Sequence, residues 1–167
     1  YKRQKKYTRI CARIDLDAIE YNLEMMRRRL PSDTKMIGVI KMDGYGHGAA
    51  QIAKYVMEEK DYIWGYAAAT PDEAALLRKK GIQKPILVLG CTFPEQRDEM
   101  IRQEIRMTCY TEEMARDVSE RAGRLGKTAY IHIKLDTGMS RLGFLISEES
   151  ADAIARAAGL PGIEAEG

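Results

Sequence analysis

Cysteine is scarce and unpatterned in this sequence. Cys11, Cys91 and Cys109 are an odd number with no C-x-x-C spacing, which argues against a disulfide framework or a zinc site. Their expected role is that of small buried hydrophobes in a protein of the reducing cytosol. Long apolar runs are missing too: no stretch approaches the roughly 20 residues that span a bilayer, and no signal-peptide pattern is visible. The segment is therefore expected to be soluble and cytoplasmic, with no membrane partner. Nor does one sign of charge prevail. Lysine and arginine number 27 against 25 acidic residues, and the net charge of +2 gives no electrostatic case for nucleic acid. The one basic run, YKRQKK at residues 1 to 6, reads as a solvated tail in preference to a juxtamembrane or phosphate-binding segment. An initiating methionine is absent, so Tyr1 is expected to mark a boundary or to continue from something upstream. No marked linker or shift of composition divides residues 1–167, which read as one continuous domain.

What the chain does have is a rhythm. Ile19, Leu23, Met26 and Leu30 fall at helical spacing, with Asp17 and Glu20 placed like a capping box, Pro31 as the stop and the Met25, Met26 pair as core filler. Six β-rich runs then alternate with five helical patterns. MIGVIK (36–41) precedes a helix through Ile52, Val56 and Met57. YIWGYA (62–67) precedes a helix with Thr70 as N-cap, Pro71 at its first position and Glu73 as the capping-box acid, ending before Gly81. PILVLG (85–90) leads to a helix from about Pro94, and RMTCY (106–110) to one capped by Thr111 and carrying Met114, Val118 and Leu125. AYIHIKL (129–135) is followed by a helix with Ser147 as cap, Glu148 and Glu149 in its first turn and Gly159 past its end; GIEAEG (162–167) begins a sixth strand. This alternation predicts parallel βα units of an α/β protein. A doubly wound open sheet and a (β/α)8 barrel both fit, and periodicity does not choose between them. A barrel takes about 250 residues and eight strands, so this chain would hold about six of its eight units.

In either architecture functional groups gather where strands end, and Lys41 sits at the end of the first strand. A lysine at the rim of a hydrophobic strand can shed its proton, because burial disfavours the ammonium form, and a neutral amine can form a Schiff base with an aldehyde. Gly44, Gly46 and Gly48 allow a sharp turn close to a ligand, and Tyr45 offers a hydroxyl nearby. Each feature alone has a plainer reading: a surface lysine, and a turn.

The combination VIKMDGYGHGA (39–49) closely resembles the pyridoxal-phosphate attachment segment of the alanine racemase family, the fold-type III enzymes that use this cofactor. ARIDLDAIEYNL (12–23) resembles the family's opening helix, and IKLDTGMSRLGF (133–144) its arginine segment. The three set one register over essentially the whole chain, matching the N-terminal portion of the family only. The resemblance implies a (β/α)8 barrel of the TIM type with pyridoxal 5'-phosphate on Lys41 and Tyr45 at its phosphate. It also implies that Arg141 holds the substrate carboxylate and the cofactor's ring hydroxyl, a bidentate task that suits a guanidinium. Lys134 matches a position that many members carry as a carbamylated lysine; an unmodified surface lysine is the alternative. Asp136 reads as a loop cap, His132 as a residue packed within its strand, and His47 as a hydrogen-bonding loop residue.

On this resemblance the activity is racemisation of L- and D-alanine, supplying D-alanine for peptidoglycan. Lys41 would be the base on one face of the α-carbon. The opposite base is a tyrosine of the family's C-terminal β-domain, contributed across a homodimer and absent from these residues. The isolated 167 residues are therefore expected to be inactive and prone to self-association through open strand edges. Three other readings stay open. A serine racemase domain following a membrane anchor would show an apolar segment upstream of Tyr1. A non-catalytic cofactor carrier built as a single barrel is disfavoured by DTGMSRLGF. A split chain acting as an assembly partner would betray itself in mass and oligomeric state.

Overall fold

Asp15 starts the first helix: its carboxylate accepts from the Ala18 amide at 3.1 Å and caps α1 (Leu16–Arg27). The computed structural model describes residues 10–167, so the basic run at residues 1 to 6 lies outside the described residues. The cap corrects the expected box of Asp17 and Glu20. Asp15 stands three residues before the amide it binds, whereas Asp17 lies inside the helix and Glu20 pairs with Lys60 at 2.7 Å. The helix also ends before Pro31. The Arg27 side chain donates to the carbonyls of Pro31 and Ser32, both at 2.7 Å, and folds the chain away. Leu23 is consequently buried, while Met26 is 50% exposed and Leu30 also faces out, so the methionine pair is not core filler. Of the cysteines only Cys109 is fully buried; Cys91 is half-buried and Cys11 exposed, so the buried-hydrophobe reading fits one of three.

Six parallel strands follow, β1 (Met36–Val39), β2 (Ile63–Ala68), β3 (Ile86–Val88), β4 (Arg106–Cys109), β5 (Ala129–Ile133) and β6 (Ile163–Ala165). They lie side by side in the order β1-β2-β3-β4-β5-β6. Between β1 and β2 run a short turn α2 (Lys41–Tyr45), then α3 (Ala49–Ile52), which widens into a π-helical turn over Ala53–Met57. The later crossovers are α4 (Pro71–Lys79), α5 (Pro94–Arg102), α6 (Glu112–Leu125) and α7 (Glu148–Ala158). Thr70, Thr111 and Ser147 cap α4, α6 and α7 as their positions predict.

Strand order settles the architecture. A doubly wound sheet reverses its order partway, and none of the described strands does so. Because parallel crossovers are right-handed as a rule, consecutive neighbours put the connecting helices on one face, as in a (β/α)8 barrel. The register agrees with this. Ala68, Val88, Met107 and Ile131 form one cross-strand row and are all buried beneath the helices. Val39, Ala67, Leu87 and Arg106 form the adjacent row on the opposite face, where Val39 is 49% exposed. Core and inner surface are thus two sides of one sheet.

Helices α6 and α7 are joined by charge. Glu112 accepts from Arg156 of α7 at 2.9 Å and from Arg116 one turn along its own helix. These two guanidinium groups, Arg156 foremost, hold the Glu112 carboxyl down at about 2 from its usual 4.5. A lowered folded-state pKa stabilises above the unfolded value and is lost as pH falls through the folded one. Acidification from 4.5 towards about 2 should therefore loosen α7. Urea midpoints measured across that window should fall less steeply for Glu112→Gln than for the parent; parallel curves would remove the tie.

Candidate active site

The chain leaves β1 through Ile40 and turns left-handed. Met42, Asp43, Gly44 and Tyr45 have φ of 54°, 54°, 63° and 56°. The sequence suggests that glycines make this bend, but three of the four residues are not glycine. Each non-glycine residue in this region costs about 1–2 kcal/mol, so the turn must be held from outside. Several bonds hold it. Asp43 accepts from the Ala49 amide at 2.9 Å through its side chain and from Gly48 at 2.8 Å through its carbonyl, fastening the turn to the start of α3. His47 stays on the loop, its Nδ1 3.0 Å from the Gly44 carbonyl. Glu73 accepts from the Met42 amide at 2.9 Å and the Ala69 amide at 2.8 Å. The expected capping box is therefore only half formed: Thr70 accepts from the Glu73 amide at 3.3 Å, but the Glu73 carboxylate reaches across to another βα unit.

The second element is the loop after β5. Its base is closed where Leu135 bridges Phe144, with Asp136 donating to Phe144 at 2.9 Å and Phe144 to Lys134 at 2.8 Å. Gly143 permits this closure: with φ of 142°, a Cβ there would lie 2.4 Å from the Asp136 nitrogen. Within the loop, Asp136 accepts from the Gly138 and Ser140 amides at 3.0 and 2.9 Å. Those amides hold its carboxyl below the usual range, Ser140 foremost. Asp136 is thus a loop cap, and Arg141 projects from a brace to which its own side chain does not contribute.

Lys41, Lys134 and Arg141 line one cavity of about 330 Å³, together with Ala69, Leu89, Gly90 and Leu142. The lining carries three cations and no acid. The cavity lies at the C-terminal ends of β1, β2, β3 and β5, where α/β folds assemble their chemistry. Tyr45 is not among its walls. It stands 63% exposed, with the Lys41 Nζ 5.8 Å from its ring centre. On the same face of β5 as Lys134, two residues back, His132 packs half-buried against Trp64, ring centres 5.5 Å apart. Burial lowers its pKa, so the imidazole leans towards the neutral form. Arg106 sits beside this layer, paired with both oxygens of Glu166 at 2.8 Å and 4.4 Å from the Tyr130 ring.

Glu73 and Asp43 were not legible as site residues. Glu73 has a complete local explanation at the start of α4, and its tie to Met42 spans 31 residues.

The chain matches the family model described as alanine racemase, N-terminal domain, over residues 14–167. It is 40% identical over 158 residues to the alanine racemase of Clostridium tetani, covering 95% of this chain and 40% of that protein. Against the alanine racemase of Methanococcus maripaludis the figures are 40% identity over 159 residues, 95% and 42%. The chain thus spans about two fifths of the length of the curated relatives it matches. Among solved structures, an alanine racemase of Clostridium difficile 630 superposes with a TM-score of 0.88 at 42% identity, over 92% of this chain and 40% of that one. The histidine racemase of Leuconostoc mesenteroides subsp. sake superposes at 0.76 and 26% identity, over 89% and 39%.

Proposed function

Since the chain belongs to the alanine racemase family, we propose that the whole protein interconverts L- and D-alanine with pyridoxal 5'-phosphate as its cofactor. The observation that carries this reading is the shared cavity of Lys41, Lys134 and Arg141. Its contents fit the group. A primary amine suits the aldehyde, a guanidinium suits the phenolate oxygen, and an acid-free, cation-rich lining of about 330 Å³ suits a flat anionic ligand. When bound, the cofactor withdraws electrons from an amino acid's α-carbon and eases loss of the α-proton.

The chain's own residues supply the rest. Lys41 would hold the aldehyde carbon and, as a free amine, would take or return the proton on one face of the α-carbon. Arg141 presents a planar fork to the substrate carboxylate and the ring oxygen. Tyr45, whose hydroxyl has no hydrogen-bond partner among the described residues, is the candidate for the phosphate. Lys134 lines the cavity beside Arg141; carbamylated, it would be an anion able to fix the guanidinium. Proton delivery to the opposite face needs a second acid, for which we propose a tyrosine contributed by the partner in a homodimer. We also propose that this activity supplies D-alanine for peptidoglycan in the cytoplasm. No helix among the described residues is long and apolar enough to cross a membrane.

The test is an assay of the whole, mass-verified, cofactor-loaded protein with L-alanine and, separately, L-serine, following the D-enantiomer. Alanine is expected to be racemised in both directions and faster than serine. No conversion of alanine rejects the reading, and a clear preference for serine replaces the substrate.

A further inference from the structure

Glu73 is absent from the cavity walls, yet it joins two segments that form them. Lys41 and Ala69 both line the cavity. Glu73 accepts from the peptide directly after Lys41, at Met42, through Oε1 and from the Ala69 amide through Oε2. We infer that Glu73 is a positioning residue whose carboxylate clamps the left-handed turn Met42–Tyr45 against the end of β2 and so aims the Lys41 amine into the cavity. The inference rests on the racemase reading and adds to it the group that fixes the orientation of its lysine.

Three observations carry it. The turn holds three non-glycine residues at positive φ and would relax without an external restraint. The bonds of Asp43 fasten it to α3, which follows it in sequence; Glu73 fastens it to α4 and β2, across the neighbouring unit. Space to relax also exists: a second cavity of about 540 Å³ lies between the turn and α4, with Met42, Asp43, Glu73 and Leu76 among its walls. Cutting the clamp would let the turn move towards that space and carry Lys41 with it.

The chemistry of the clamp makes it testable without deleting bulk. Two amide donors at 2.9 and 2.8 Å need two acceptors, which a carboxylate has. A glutamine has one acceptor oxygen and one NH2 group, so either amide orientation leaves a donor facing a donor. In the whole protein, Glu73→Gln should therefore resemble Glu73→Ala in its effects while keeping side-chain volume. Hydrogen exchange in the cofactor-free protein should quicken about tenfold at Met42 or Ala69 in Glu73→Gln and at both in Glu73→Ala. In the loaded protein, kcat and cofactor affinity should each fall about tenfold, with the alanine KM changed much less. Parental exchange rates in Glu73→Gln overturn the inference, as does a lowered melting midpoint with kcat and cofactor affinity intact. The racemase reading has its own control: a parent protein with no borohydride-fixed cofactor on Lys41 fails that reading, while exchange at Met42 still decides the clamp.

Discussion

Lys41→Ala is expected to lower racemisation of the whole protein by about 10³-fold or more and to abolish covalent attachment of the cofactor, because on the proposed reading one amine serves both as its anchor and as a base. The cavity makes the test sharp, since it holds two lysines. Borohydride reduction of the loaded parent, followed by peptide mapping, should place the pyridoxyl group on Lys41 and none on Lys134. A group recovered on Lys134 would reverse the assignment of the two. Folding of the variant should match the parent, because the Lys41 side chain makes no hydrogen bond or ion pair among the described residues and lies only over the Tyr45 ring at 5.8 Å.

Arg141→Ala is the second large effect. Loss of the proposed charge-assisted contact to a substrate carboxylate, shielded from water when bound, should cost about 2–5 kcal/mol, or roughly 30- to 5,000-fold in kcat/KM. Stability should stay within about 0.5 kcal/mol of the parent, since the loop is held by Asp136 and the Leu135–Phe144 bridge and Arg141 is exposed. Arg141→Lys should recover only part of the loss, because an ammonium keeps the charge but not the fork. Steady-state kinetics with thermal melting of the same three proteins decides it, and an alanine variant with parental kcat and KM rules the role out.

How far the sequence carried the reading follows from the range of each interaction. The caps at Thr70, Thr111 and Ser147 act over three residues and were legible directly. The strands were legible as β-rich runs, and Lys41 as a residue at a strand end and Arg141 as one on the loop after the fifth strand, in motifs resembling a known family. Winding was not, because strand order is a property of packing: the same alternation of patterns serves a reversing sheet and a barrel. The cap at Asp15 was missed because Asp15 and Asp17 offer the same local signal two residues apart, and only the fold selects one. Handedness at Met42 and Asp43 was missed for a related reason. Neither residue favours positive φ enough to announce it, and the Glu73 contact that supports it comes from 31 residues away.

The separation of the sheet into a helix-covered face and an inner face bears on how such a domain can diverge. Substitutions in the row Ala68, Val88, Met107 and Ile131 meet close packing on all sides and are filtered by stability. In the row of Val39, Ala67, Leu87 and Arg106 two residues, Ala67 and Leu87, are buried as well, so it is at the strand ends, as at Lys134, that a change of size or charge alters the cavity with far less effect on the core. Such a domain can therefore drift one or two positions past the end of each strand while the helix-covered residues within the strands stay under purifying selection.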